Sequence, residues 1–255
     1  IAWTDGSNSG AGTVVVGTVS GTSISFGTKV VFNTANSDQI DMIFDSNSNK
    51  VVITYKDFGA SYIGKAIVGT VSGTSISFGS PVVYENSNSG TQSMTFDSNS
   101  NKVVIAFVDA TNGAKGAAVV GTVSGTSISF GTKVIFETNG ISAISATFDS
   151  SANKVLVAYK DDTNSGYGTA IVGTVSGTSI SFVTKVVIEN NTSTGFSTVF
   201  DSSSNKAVIV SVLSDSSTTN AVVYKMVAGP SSYDLTSENF VGIADGSYAS
   251  GATAT

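Results

Sequence analysis

The chain contains no cysteine, no histidine and no arginine, and only two prolines and one tryptophan. Each absence removes a class of chemistry. Without cysteine and histidine there is no disulfide, no thiolate or imidazole catalyst and no usual zinc site, so neither a cofactor nor a metal centre is expected. Without arginine there is no guanidinium fork to clamp a phosphate or a sugar carboxylate. A formal charge of −6 on a chain that is only 12% charged leaves no basic stripe, which excludes nucleic acid as a partner. No apolar run is long enough to cross a bilayer as a helix, so membrane insertion is not expected either. The chain opens on Ile1, inside a repeat, and is expected to be a piece of a longer polypeptide.

What is present is repetition. VGTVSGTSISFGT begins at Val16 and returns, nearly unchanged, at Val68, Val120 and Val172, each 52 residues after the last. FDSNSNK from Phe44 keeps the same step at Phe96, Phe148 and Phe200. With 255 residues, 27 of them glycine and 40% hydrophobic, the chain can bury a sizeable core. A period near 50 points to propeller blades or helical arrays, and local pattern decides between them.

Lys50–Asp57 alternates Val51, Ile53 and Tyr55 with Val52, Thr54 and Lys56, the period of a strand. Residues 66–71 and 74–78 alternate too and form a hairpin about Ser72-Gly73, while residues 40–44 make a fourth strand before the turn Asp45–Asn49. Four strands, A to D, per repeat and no helical pattern predict an all-β fold: a five-bladed β-propeller of four-stranded repeats of about 52 residues. Lys29, Pro81, Lys133 and Lys185 then mark strand D as an exposed outer edge. The blades are read as a partial first one at 1–35, repeats at 36–87, 88–139 and 140–191, and a diverged last one at 192–246. Five copies of strand B meet only four of strand A. The missing strand either precedes Ile1 or comes from the tail 247–255, where Ser247–Thr253 falls in phase.

Variation is one-sided. The A–B turns and the C–D string hardly change, whereas the B–C connections (DGSNSGAGT, DFGASYIGK, DATNGAKGA, DDTNSGYGT) and the D–A connections (NTANSD, ENSNSG, ETNGIS, ENNTST) differ in every unit. Recognition would be written on that face. Where strand B meets it, an aromatic and a carboxylate two residues on recur as Trp3 and Asp5, Tyr55 and Asp57, Phe107 and Asp109, and Tyr159 and Asp161. Such a pair can stack on a sugar ring and accept its hydroxyls, or can pack blade on blade while the aspartate caps the loop. Tyr62, Asn164 and Tyr167 project from the loops themselves and complete the candidate ligand-binding set.

Asp45-x-Asn47-x-Asn49 lacks the glycine and distal glutamate of an EF-hand and reads as a hairpin turn. Asp57, Asp109 and Asp161 are near copies, whereas glycan cleavage needs one asymmetric pair of carboxylates, so an enzyme is not expected.

The strings YKDDTNSGYGTAIVGTVSGTSISF and FDSNSNKVV and the tail LTSENFVGIADGSYASGATAT resemble the repeat propellers of marine bacteriophage virion proteins, tail fibres and appendages. The resemblance covers almost the whole chain and transfers no catalytic residue. It implies an extracellular, virion-borne appendage whose partners are host cell-surface glycans and other virion proteins. A purely structural fibre or decoration module is the alternative, and a glycan-cleaving enzyme ranks below both.

Overall fold

The structure, a computed structural model, describes residues 1–214, 219–228 and 233–244. Among the described residues the chain is built of strands, turns and three single-turn 3-10 helices, with no α-helix. The 52-residue period is a structural one. Strand B recurs as Ala2–Asp5, Lys50–Asp57, Lys102–Asp109, Lys154–Asp161 and Lys206–Leu213, each paired antiparallel with the strand C that follows it. In Lys102–Asp109 every residue after the lysine is buried. A strand is buried on both faces only when its sheet lies between two others.

The segments NTANSD, ENSNSG, ETNGIS and ENNTST, expected as D–A loops, are not loops. They lie inside four 16-residue strands, Val30–Asp45, Val82–Asp97, Val134–Asp149 and Val186–Asp201. In Val82–Asp97 the first half pairs with strand C of its own unit and the second half, from Ser89, pairs with strand B of the next. The register slips at the exchange, and Gln39 and Ala143 adopt φ of 51° and 48° there, as bulged residues that turn a strand from one sheet into another. The fourth strand of each unit is therefore composite. Ser75–Phe78 covers one end of strand C, and residues 82–88 cover the other.

Inner strands are hooked to one another by a single repeat position. Asp41 Oδ2 accepts a hydrogen bond from Met94 N (2.6 Å), Ser93 Oγ from Ala146 N (3.1 Å) and Ser145 Oγ from Thr198 N (3.0 Å). Apolar packing between units is equally periodic. Phe32 lies 5.2 Å from Tyr55 and 6.0 Å from Phe78 of the next unit; Tyr84 lies 5.3 Å from Phe107 and 6.1 Å from Phe130, and Phe136 lies 5.6 Å from Tyr159 and 5.1 Å from Phe182. Each of the four apolar clusters draws on two adjacent units.

This stacking explains why the hairpin string repeats. The tip of each hairpin rests on the glycine that ends the preceding one: a Cβ at Gly79 would lie 1.9 Å from Thr126 O, and one at Gly131 would lie 1.8 Å from Thr178 O. No side chain fits there. At the fourth copy the position is Val183, and the fifth unit no longer carries the hairpin string.

In the first and last units the same surfaces have no mate among the described residues. Ile76, Ile128 and Ile180 are 6%, 3% and 3% exposed, whereas their counterpart in the first unit, Ile24, is 51% exposed beside Phe26 at 54%. Val199 and Val212 are exposed on the last unit. Ala2–Asp5 pairs on one side only, with Ala11–Val14, and no pairing among the described residues joins the first unit to the fifth. The expected closing strand, Ser247–Thr253, lies outside the described residues.

Position in the row therefore sets the cost of losing an apolar side chain. Phe107→Ala is expected to lower unfolding free energy by about 3–5 kcal/mol and Ile24→Ser by no more than about 0.5 kcal/mol, measured in urea. Equal losses at the two sites would contradict the stacking.

Candidate functional site

The aromatic and carboxylate ladder does not face solvent. Tyr55, Phe107 and Tyr159 are fully buried between units, and Asp57, Asp109 and Asp161 are at most 3% exposed. These six expected ligand contacts are corrected to interior residues, because strand B is sandwiched by neighbouring sheets and leaves no ring face for a sugar. Trp3, at the open end, is half-buried under Lys29 Nζ, 5.2 Å from its ring centroid.

The aspartates have two tasks. One oxygen caps the turn at every copy but Asp109, whose Oδ1 is buried without a hydrogen-bond partner: Asp57 Oδ1 accepts from Gly59 N (2.9 Å), and Asp161 Oδ1 from Thr163 N (3.2 Å). Asp5 Oδ1 does the same for Ser7 N (3.1 Å). At Asp57, Asp109 and Asp161 the other oxygen takes a lysine of the same unit, and at the last two that lysine also reaches a carboxylate across the unit boundary. Lys133 bridges Asp109 (2.8 Å) and Glu85 of the preceding unit (2.6 Å), and Lys185 bridges Asp161 (2.8 Å) and Glu137. Lys133 and Lys185 are thus inter-sheet clamps, not guards of an outer edge. Where Pro81 replaces the lysine, Lys65 from strand C reaches Asp57 at 2.7 Å instead. In the fifth unit Asn220 holds the same place, opposite Ser211 as Lys65 is opposite Tyr55, and its amide donates to Glu189.

Burial is the largest single influence on the Glu137 and Asp161 carboxyls and would raise them, but hydrogen bonds from Lys185, the charge of that lysine and hydrogen bonds from Asn139 and Thr163 together outweigh it and hold both below their ordinary values. Burial likewise pulls the Lys185 ammonium down, and its two carboxylates outweigh that and raise it. Lowered carboxyls contribute stability that is complete above their unfolded values and is lost as pH falls through the folded ones. The raised lysine contributes stability present below its unfolded value and lost as pH climbs through the folded one.

The variable face carries what remains accessible. Tyr62 and Asn164 are exposed, in the turns that follow Asp57 and Asp161, and Tyr167 is half-buried at the start of strand Tyr167–Ser176. Between the strand-exchange points lies a hollow of about 490 Å³ that no candidate residue lines. It gathers one repeat position from four successive units: Gln39, Thr91, Ala143 and Gly195. Gln92, Ile144 and Phe196 follow them in the chain, and Ser142, Thr194 and Lys160 complete the rim. Gln92 is oriented by its own bonds, donating to Gln39 O (2.7 Å) and accepting from the Tyr84 hydroxyl. Lys160 and Ser142 share Asp162, at 3.1 and 2.9 Å. The Thr91 hydroxyl is buried and unpartnered. Amides, hydroxyls, one ammonium and one aromatic edge suit a neutral polyhydroxyl ligand. The sequence does not mark this set, because only Ser142 and Thr194 of its lining fall inside the variable D–A stretches and the others lie in what reads as strand. The available signal was the 52-residue spacing of the positions just after those stretches.

No protein-family model matches the chain and no curated protein matches it in sequence. Among solved structures, the BP39L lectin from Burkholderia pseudomallei superposes with a TM-score of 0.61 at 12% sequence identity, over 89% of this chain. The likeness is one of fold. This chain spans 62% of that lectin's length.

Lys185→Met should cost about 1–3 kcal/mol near neutral pH, discounted for the lysine's partial exposure. The deficit should shrink below the ordinary carboxyl values of 3.8 and 4.5 and again above 10.5. A deficit that holds constant from pH 2 to pH 8 in denaturant titrations would rule out the clamp as its origin.

Proposed function

We propose that this chain is a carbohydrate-binding module, five blades of a lectin-like β-propeller that hold a glycan without cleaving it. The observation that carries the proposal is the polar hollow on the variable face, where four units each supply the same position with a different residue. The fold likeness to a bacterial lectin supports it. So does the fate of the aspartates a hydrolase would need: Asp57, Asp109 and Asp161 are sealed under lysines. In the propeller the unmated end faces are inter-blade surfaces, the halves of the interface that recurs at each internal boundary. The further proposal that the module is displayed on a bacteriophage particle, facing host glycans, is supported by the resemblance of its repeat strings.

A glycan array probed with the multimerised chain tests the binding, because avidity rescues weak single sites. Sugar-competable binding is expected, and Gln39→Ala with Lys160→Met should weaken it about tenfold, the loss of roughly one net hydrogen bond to a charged or polar group, with little change in Tm. Silence from folded, multivalent protein would favour a purely structural module. Small-angle scattering checks the architecture, for which a disc-like envelope is expected and a rod is not.

A further inference from the structure

The B–C turns of the first four units share one backbone. Each places two consecutive residues in the left-handed region, Ser9 and Gly10, Ser61 and Tyr62, Gly113 and Ala114, and Ser165 and Gly166. The second of these is glycine or alanine in three units and tyrosine in one, where φ is 67°. A bulky side chain is disfavoured in that region and persists only where its surroundings hold it. Tyr62 is held by its backbone, N donating to Asp57 O (2.9 Å) and O accepting from Ser89 N (3.0 Å). Its ring is not held by a core, being 45% exposed.

The same turn carries a second odd residue. Phe58 stands where the sister units have Gly6, Ala110 and Asp162, and it is 36% exposed. Its ring meets Tyr62 edge-on at 4.8 Å and 73°. Lys56 Nζ lies 5.6 Å from the Phe58 centroid and 5.3 Å from that of Tyr62. Among the described residues no carboxylate comes within ion-pair distance of Lys56, and its cross-strand neighbour Asp38 is engaged by the Gln39 amide (3.3 Å). None of the three residues lines the hollow.

We propose that Lys56, Phe58 and Tyr62 form a second binding site, for an acidic sugar such as a uronate. The C–H face of the pyranose lies on the exposed Tyr62 ring, and the sugar carboxylate meets the Lys56 ammonium, which the two rings orient and leave without an internal counter-ion. A neutral sugar would satisfy the rings and not the lysine. The choice of a sugar rests on the carbohydrate reading above; the choice of an acid rests on this turn alone.

Sodium glucuronate and glucose are the probes, titrated into the chain while amide and aromatic NMR signals are followed. Glucuronate is expected to shift Lys56, Phe58 and Tyr62 with an affinity that falls as salt is raised, and at least tenfold more tightly than glucose. Lys56→Met, which keeps the aliphatic stem, should abolish the preference for the acid. Tyr62→Gly, which restores the residue of two sister turns and relieves the backbone, should fold at least as well and lose both sugars at this turn. Equal glucuronate binding by wild type and Lys56→Met, or shifts confined to the hollow, would overturn the site. Lys160→Met alone, which leaves the Gln39 amide on Asp38, separates the two proposals, since shifts that persist in it at residues 56–62 belong to the turn and not to the hollow.

Discussion

Everything in this molecule depends on one contact, the face of each sheet against the next. A sheet of about 50 residues cannot bury both its faces by itself, and here each apolar cluster is assembled from two units. The interface must therefore be presented on both sides of every unit, which ties the period of the sequence to the geometry of the stack. At the first three boundaries three rings supply area and the hairpin tip on a bare glycine supplies fit. Val183 shows the rule by its exception, since it replaces glycine only where the next hairpin string has ended.

A polar device runs beside the apolar one. Lys133 and Lys185 each bind two carboxylates from different units, an arrangement that adds little net energy once desolvation is counted but punishes any slip between sheets. Its substitutions are coupled through space. Pro81 removes a lysine from one strand and Lys65 restores the charge from another, while Asn220 serves Glu189 from the same place as Lys65. A carboxylate buried at a unit boundary needs a donor, and the fold accepts that donor from either strand.

With packing and charge settled between the sheets, one face is left to vary. The B–C turns share two left-handed residues and, at all but the Asp109 copy, a capping aspartate, and the exchange points need only a bulge. Other positions there are unconstrained by the stack. The hollow and the Lys56 turn both sit among such positions, which makes two sites of different chemistry compatible with one scaffold.

The sequence by itself determined the period, the all-β character, the turn at Asp45–Asn49, where Asp45 Oδ1 accepts from Asn47 N and Ser48 N at 2.9 and 3.0 Å, and which connections vary. These are local properties, written in alternation and in turn chemistry. Tertiary structure alone decided which face of strand B is accessible: alternation marks two faces but not what covers them, so Tyr55, Phe107 and Tyr159 looked available until neighbouring sheets enclosed them. It also decided that residues 33–38 and their copies are strand, because polar, loop-like residues are held extended by pairing with two different sheets. The hollow was invisible for the same reason, since residues 52 apart in the chain become neighbours only when the units stack.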